Sequence, residues 1–280
     1  MNSDRGELDS TVLGTAGREF YKLKRGLVDM TRGDRSIRPI TIEATPQKVL
    51  IDLNKTAIIV IDMQNDFCMS GGWLNSLGVD ITPTRKPIDP LKRVTAALRS
   101  QDVPVIWLNW GIRPDRLNLS PGTRLTFHQA GSGTGLGDLM RNPCSPSSQT
   151  PVLQKDSLGA AVVDELSPAS TDIFVDKHRI SGFWDTPLDS ILRNLGVKTL
   201  LFAGVNADEC VLATLMDANF HGYDTLMLED CVATTSPSFC MEATLYNVRF
   251  CFGFTLSSIA LLSALGKSQD IPVENRGAVA

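Results

Sequence analysis

The chain has 280 residues, 42% apolar and 21% charged, and 27 Lys+Arg against 31 Asp+Glu give a net charge of −4. These values belong to a soluble globular chain and exclude wholesale disorder or a collagen-like polymer. The mildly acidic balance gives no electrostatic ground for nucleic acid or an anionic membrane as a partner.

Six cysteines (Cys68, Cys144, Cys210, Cys231, Cys240, Cys251) form no CxxC pair, and only three histidines accompany them. They read as reduced thiols of a cytoplasmic protein, not as a disulfide frame or a metal set. The first ten residues contain no apolar signal core, and the apolar stretch 254–265 is too short to span a bilayer.

In chain order, residues 1–50 are polar with scattered Arg and Lys, and read as an arm on the main body or on a neighbouring subunit. The main domain is expected over 51–280. Residues 56–62 form a β-branched apolar run ending in a carboxylate, the pattern of a strand buried on both faces. A helix is expected at 90–100 and a second strand at 103–109. Residues 110–170 break the alternation with Gly, Pro and Ser, and read as a functional insertion. Strands at 172–175, 199–204 and 225–228 follow, with helices at 186–195, 209–220 and 239–248. Gly196 and Gly222 sit where glycines end helices. A sixth strand at 250–256 and a last short helix complete the series. The alternation predicts one α/β domain with a parallel sheet covered on both faces.

Such sheets bind ligands at the carboxyl ends of their strands. Asp62, Lys177 and Cys210 fall at three of those ends. Cys210 opens a predicted helix, where free N–H groups and the helix dipole favour a thiolate and can receive an oxyanion. Lys177 would lower the thiol pKa further, and Asp62 could shuttle its proton. Each residue also has a plain alternative: a buried thiol, a helix cap, a solvated charge. Gly131 to Gly137 lacks the Lys-Ser/Thr ending of a phosphate loop and reads as an ordinary loop. No GxGxxG follows the first strand, so a dinucleotide oxidoreductase is set aside. Phe67 and Phe183, beside the candidate segments, could wall a planar amide. Trp107, Trp110 and Trp184 could line a pocket or pack the core.

Asp-Met-Gln-Asn-Asp-Phe at 62–67 and Gly-Val-Asn-Ala-Asp-Glu-Cys-Val at 204–211 resemble the isochorismatase-like cysteine hydrolases. The block 177–193, KHRISGFWDTPLDSILR, and Ala-Thr-Leu-Tyr-Asn-Val at 243–248 with Phe-Gly-Phe at 252–254 are similar to the branch of ureidoacrylate amidohydrolases and biuret hydrolases. The resemblance implies a three-layer α/β/α fold with a six-stranded, mainly parallel sheet and an Asp62–Lys177–Cys210 triad. It also implies a cis peptide before Asn206 and an oxyanion hole from the Asn206 and Cys210 backbone N–H groups. Isochorismatases proper lack the cysteine, and nicotinamidases of this fold carry a metal site for which the three histidines here are wrongly spaced. No metal or cofactor is therefore expected.

The implied activity is hydrolysis of a C–N bond in a small linear amide or ureide, ureidoacrylate-like, with ammonia released. Alternatives are biuret or another N-carbamoyl compound, or a non-catalytic scaffold that kept the fold. A homo-oligomer, dimer or tetramer, is expected. One departure stands out: Asp208 and Glu209 precede Cys210, where that branch usually has neutral residues. Facing the thiol they would raise its pKa, so Asp208 is expected to cap the helix and Glu209 to point away. Substrate selectivity must come from outside the triad. Arg113, Arg116, Arg124 and Arg179 could grip a substrate carboxylate, or pair with surface acids.

Overall fold

The computed structural model describes residues 11–15, 18–32, 36–128 and 133–269, the side chains of 267–269 excepted. The first ten residues and the Gly131-Ser132 start of the glycine-rich loop lie outside the described residues.

Six strands build the central sheet: β1 Thr56–Ile61, β2 Val105–Trp110, β3 Ile173–Lys177, β4 Thr199–Val205, β5 Asp224–Ala233 and β6 Phe254–Leu256. Their spatial order is β3-β2-β1-β4-β5-β6, and every pairing is parallel. All six residues of β1 and all seven of β4 are buried, which is why both read as unbroken apolar runs without alternation.

Five helices cover the sheet: α1 Ile88–Arg99, α2 Leu188–Asn194, α3 Leu212–Phe220, α4 Ser238–Asn247 and α5 Ser258–Gln269. α1 packs with α5 on one face. Right-handed crossovers place α2 and α3 on the other, giving the three layers. The strand order reverses direction between β1 and β4. The crevice beyond their carboxyl ends is where a doubly wound sheet receives a ligand.

Two expectations change. Residues 248–252 form a π-turn instead of the start of a strand, and β6 is only three residues long. Before residue 50 the chain is not irregular throughout. Thr11–Gly14, Phe20–Lys24 and Leu27–Asp29 form a small antiparallel sheet. Pro39–Ile42 pairs with Val49–Asp52, and the apolar residues of this hairpin, Ile40, Ile42 and Ile51, are buried in the main core. Three such residues among many polar ones were too sparse a pattern to stand out from composition.

The insertion between β2 and β3 carries a helix, Pro121–Thr126, and a hairpin, Leu139–Arg141 with Gln149–Pro151. Its return strand of chain is fastened to the segment after β1. Asn65 and Asp66 donate backbone N–H groups to Ala161 and Gly159 carbonyls (2.9 Å each), and Val163 N–H donates to Met63 O (3.0 Å).

Candidate active site

β1 ends at Ile61, and Asp62 turns out of the strand at φ 51°, the left-handed region that a residue with a Cβ seldom adopts. Its backbone still donates to Leu108 O (3.0 Å). Its carboxylate Oδ1 accepts from Trp110 N–H on β2 (3.1 Å). Gly204 lies next to this turn, at φ 111°, and a Cβ there would collide with the Ile61 backbone. Only glycine permits β4 to approach β1 this closely. The Val205–Asn206 peptide that follows is cis.

Lys177 ends the edge strand β3, two strands away from β1. Neighbouring strands are about 4.8 Å apart, so only a long side chain can reach across β2. Lys177 does so: it is fully buried, with its ammonium 4.3 Å from the Trp110 ring centroid. The ammonium lies 2.9 Å from Asp62 Oδ2 and 3.3 Å from Cys210 Sγ, and it also donates to Arg179 O at 3.3 Å. Trp110 thus serves the site twice, through its backbone N–H to Asp62 and through its ring beneath Lys177.

Cys210 is the fourth residue of a π-turn, Ala207–Val211, that leads from β4 into α3. It is 5% exposed and lies within hydrogen-bonding reach of Asp62. Thr214 donates to Cys210 O (2.6 Å) and accepts from Gly182 N–H (3.1 Å), which ties this turn to the loop after Lys177. The three sequence candidates therefore meet in one buried contact.

Their electrostatics differ from the expected stabilised thiolate. Burial pushes the Cys210 thiol well above its ordinary range, Lys177 opposes this, and Asp62 adds to it. Burial also raises the Asp62 carboxyl, against the pull of Lys177. The Cys210 thiol therefore lies beside a carboxylate made more basic by lost hydration.

The remaining candidates separate. Phe67 is buried, edge-on to Trp73, in the short helix Asn65–Cys68 that follows Asp62. Phe183 stacks on His221 (5.1 Å) and packs against Tyr223, just past the end of α3 remote from Cys210. That helix is nine residues long, roughly 13 Å. Arg113 pairs with Asp115 (2.6 Å), Arg116 with Asp138 (2.8 Å) and the Gly137 carbonyl, and Arg179 with Asp185 (2.6 Å). Arg124, exposed on its short helix, has no ion pair among the described residues. Trp107 is core and donates to Asp172, while Trp184 is exposed and donates to Asp217.

Asp208 does not cap the helix: no side chain caps this turn, and one Asp208 carboxylate oxygen is buried without a hydrogen bond while Cys240 approaches the group. Glu209 is solvent-exposed beside Asn206. The Asn206 amide donates to it (3.4 Å), and its charge is coupled to both Asp62 and Lys177. Gln64 is a residue the sequence reading passed over. Its amide accepts from Trp110 N–H (2.9 Å) and donates to the Trp110 (2.8 Å) and Ala160 (2.7 Å) carbonyls. Its place two residues after Asp62, on the face opposite Met63, was the available signal. Among the described residues no three His, Cys, Asp or Glu side chains converge as a metal-binding group.

Residues 56–259 match the isochorismatase domain family. A ureidoacrylate amidohydrolase, RutB, of Klebsiella variicola (strain At-22) is 34% identical over 77% of this chain and 89% of its own length. Its counterpart in Methylorubrum extorquens is 32% identical over 82% of this chain and 90% of its own. Among solved structures, a cysteine hydrolase from Pseudomonas syringae pv. phaseolicola 1448A superposes with a TM-score of 0.65 at 24% identity, over 78% of this chain and 95% of that one. An N-carbamoylsarcosine amidase from Thermoplasma acidophilum gives 0.54 at 27% identity, over 73% and 96%. The chain belongs to the isochorismatase domain family.

Proposed function

We propose that this protein is a cysteine amidohydrolase that cleaves the C–N bond of a small linear amide or ureide. The observation that carries this reading is the buried contact of Asp62, Lys177 and Cys210 at the switch point of the sheet. The relatives named ureidoacrylate amidohydrolase and N-carbamoylsarcosine amidase support the same bond type.

Asp62 takes the Cys210 proton as Sγ attacks the carbonyl carbon, and Lys177 holds the developing thiolate. The carbonyl oxygen becomes an oxyanion held by the Asn206 and Cys210 backbone N–H groups. Collapse breaks the C–N bond while Asp62 gives its proton to the leaving nitrogen, so ammonia departs and a thioester remains, or a thiocarbamate for a ureide. Water then adds to that carbonyl, Asp62 accepts its proton, and the thiol is restored as the acid leaves. The task of Lys177 is to hold negative charge next to a buried carboxylate.

The test is ammonia release from a panel of linear amides and ureides, run with wild type and with Cys210→Ala. The reading requires at least one substrate whose turnover disappears with the thiol. Undiminished turnover in Cys210→Ala would overturn it.

A further inference from the structure

The turn that carries Cys210 presents two acceptors beside the thiol. Glu209 is solvent-exposed and immediately precedes the nucleophile. The Asn206 side chain turns its Nδ2 toward Glu209 Oε2 at 3.4 Å, and this fixes which way the amide faces. Its Oδ1 is consequently left buried with no hydrogen-bond partner. A buried, unpaired carbonyl oxygen is costly unless something supplies an N–H or O–H. No basic side chain forms an ion pair with Glu209 among the described residues, although Lys177 lies close enough to act on its charge. Of the arginines that could grip a carboxylate, Arg113, Arg116 and Arg179 each already hold an aspartate, and Arg124 sits exposed on the short helix of the insertion.

We infer that Asn206 Oδ1 and the Glu209 carboxylate form an acceptor pair that selects an N–H-rich ureide or amide without a carboxylate. This rests on the amidohydrolase reading and names its substrate class. A terminal urea or amide group offers two N–H donors in a plane, one for each acceptor, as its carbonyl meets Cys210. A substrate carboxylate beside Glu209 would instead face a like charge, which disfavours binding. Glu209 is then a specificity residue: it adds nothing to bond cleavage itself.

The matched pair N-carbamoylglycinamide and N-carbamoylglycine differs only in that a neutral amide replaces a carboxylate. Calorimetric titration of Cys210→Ser, which binds without turnover, should show the neutral compound held about tenfold or more tighter, the size of one charge-assisted hydrogen bond. Adding Glu209→Gln should bring the two affinities within about twofold, since the shape is kept and the charge removed. In the enzyme with its native cysteine, Glu209→Gln should move KM for the two compounds in opposite directions. Equal binding of the pair by Cys210→Ser, tighter binding of the acid, no binding of either, or a preference that survives Glu209→Gln each overturns the acceptor pair. If the neutral compound is preferred but the native enzyme releases no ammonia from it or from any amide, the hydrolase reading fails while the acceptor pair stands.

Discussion

In β1 and β4 every side chain is buried, and parallel ladder bonds between apolar strands hold the ends that carry Asp62 and Cys210. The 111–172 insertion reaches its place differently, through polar groups of the segment just after β1. Gln64, Asn65 and Asp66 donate to or accept from residues 153 to 161. Asp66 is the hub: 2% exposed, it accepts from Trp73 N–H (3.2 Å) and Leu153 N–H (2.8 Å), and Gly159 is packed so close that a Cβ would collide with the carboxylate. The run from Asp62 to Phe67 therefore does two jobs. Its first residue meets Lys177 and Cys210, and the next four anchor sixty residues of irregular chain over that contact. The comparison teaches that apolar burial places the reacting groups, whereas satisfied backbone polarity places what surrounds them.

The largest effects should come from the apolar-placed centre. Cys210→Ala and Asp62→Asn are each expected to lower kcat by about 1000-fold or more in an ammonia-release assay, with unchanged circular dichroism. Lys177→Met should do more than slow the reaction, because it leaves Asp62 buried without its cation. A loss of about 3–5 kcal/mol in denaturant unfolding is expected, the cost of stranding one partner of a buried pair.

The insertion should break more softly and in a different measurement. Asp66→Ala strands two buried N–H groups, so a destabilisation of about 2–5 kcal/mol is expected with loosening of residues 150–162 by hydrogen exchange. Trp110→Leu, at the seam between the two regions, removes the ring under Lys177. It should cost roughly tenfold in kcat, matching a desolvated cation–π contact of about 1–2 kcal/mol, with little effect on KM.

Titration gives a smaller effect. Burial raises the Asp66 carboxyl from 3.8 to about 6, against two backbone hydrogen bonds. Its folded pKa lies above its unfolded one, so the folded state holds the proton more firmly. The stabilisation from this group is complete below pH 4 and disappears as pH rises through 6. A two-unit shift corresponds to about 3 kcal/mol at most. The unfolding free energy of wild type should therefore fall more steeply between pH 4 and 6 than that of Asp66→Asn. Equal slopes would mean that Asp66 is not the buried hub described.

Much of this was legible because the sheet is parallel and covered on both faces, so its strands appear as runs rather than alternations. The triad was legible for the same reason: reactive residues at strand ends are few, and Asp62, Lys177 and Cys210 stood out. Other features depend on contacts between segments far apart in the chain. Trp110 is an aromatic at the end of a buried strand, and nothing local says that Lys177, 67 residues later, will lie on its ring. The 248–252 stretch has the apolar content of a strand, yet it closes as a π-turn because Gly253 then leads directly into the short β6. Glu209 is exposed, as helix geometry has it, but its partner was not legible. The π-turn changes the rotation of the first residues and brings its carboxyl to Asn206.

The central claim is that Cys210 forms and loses a covalent bond to the substrate carbonyl. Acid-quenched intact-mass and peptide mass spectrometry during turnover of N-carbamoylglycinamide tests it most directly. The account predicts a transient adduct carrying the substrate acyl group on the Cys210 peptide alone, formed as the first ammonia appears and absent in Cys210→Ala. Steady hydrolysis with no adduct on that peptide, or an adduct on another cysteine, would contradict it.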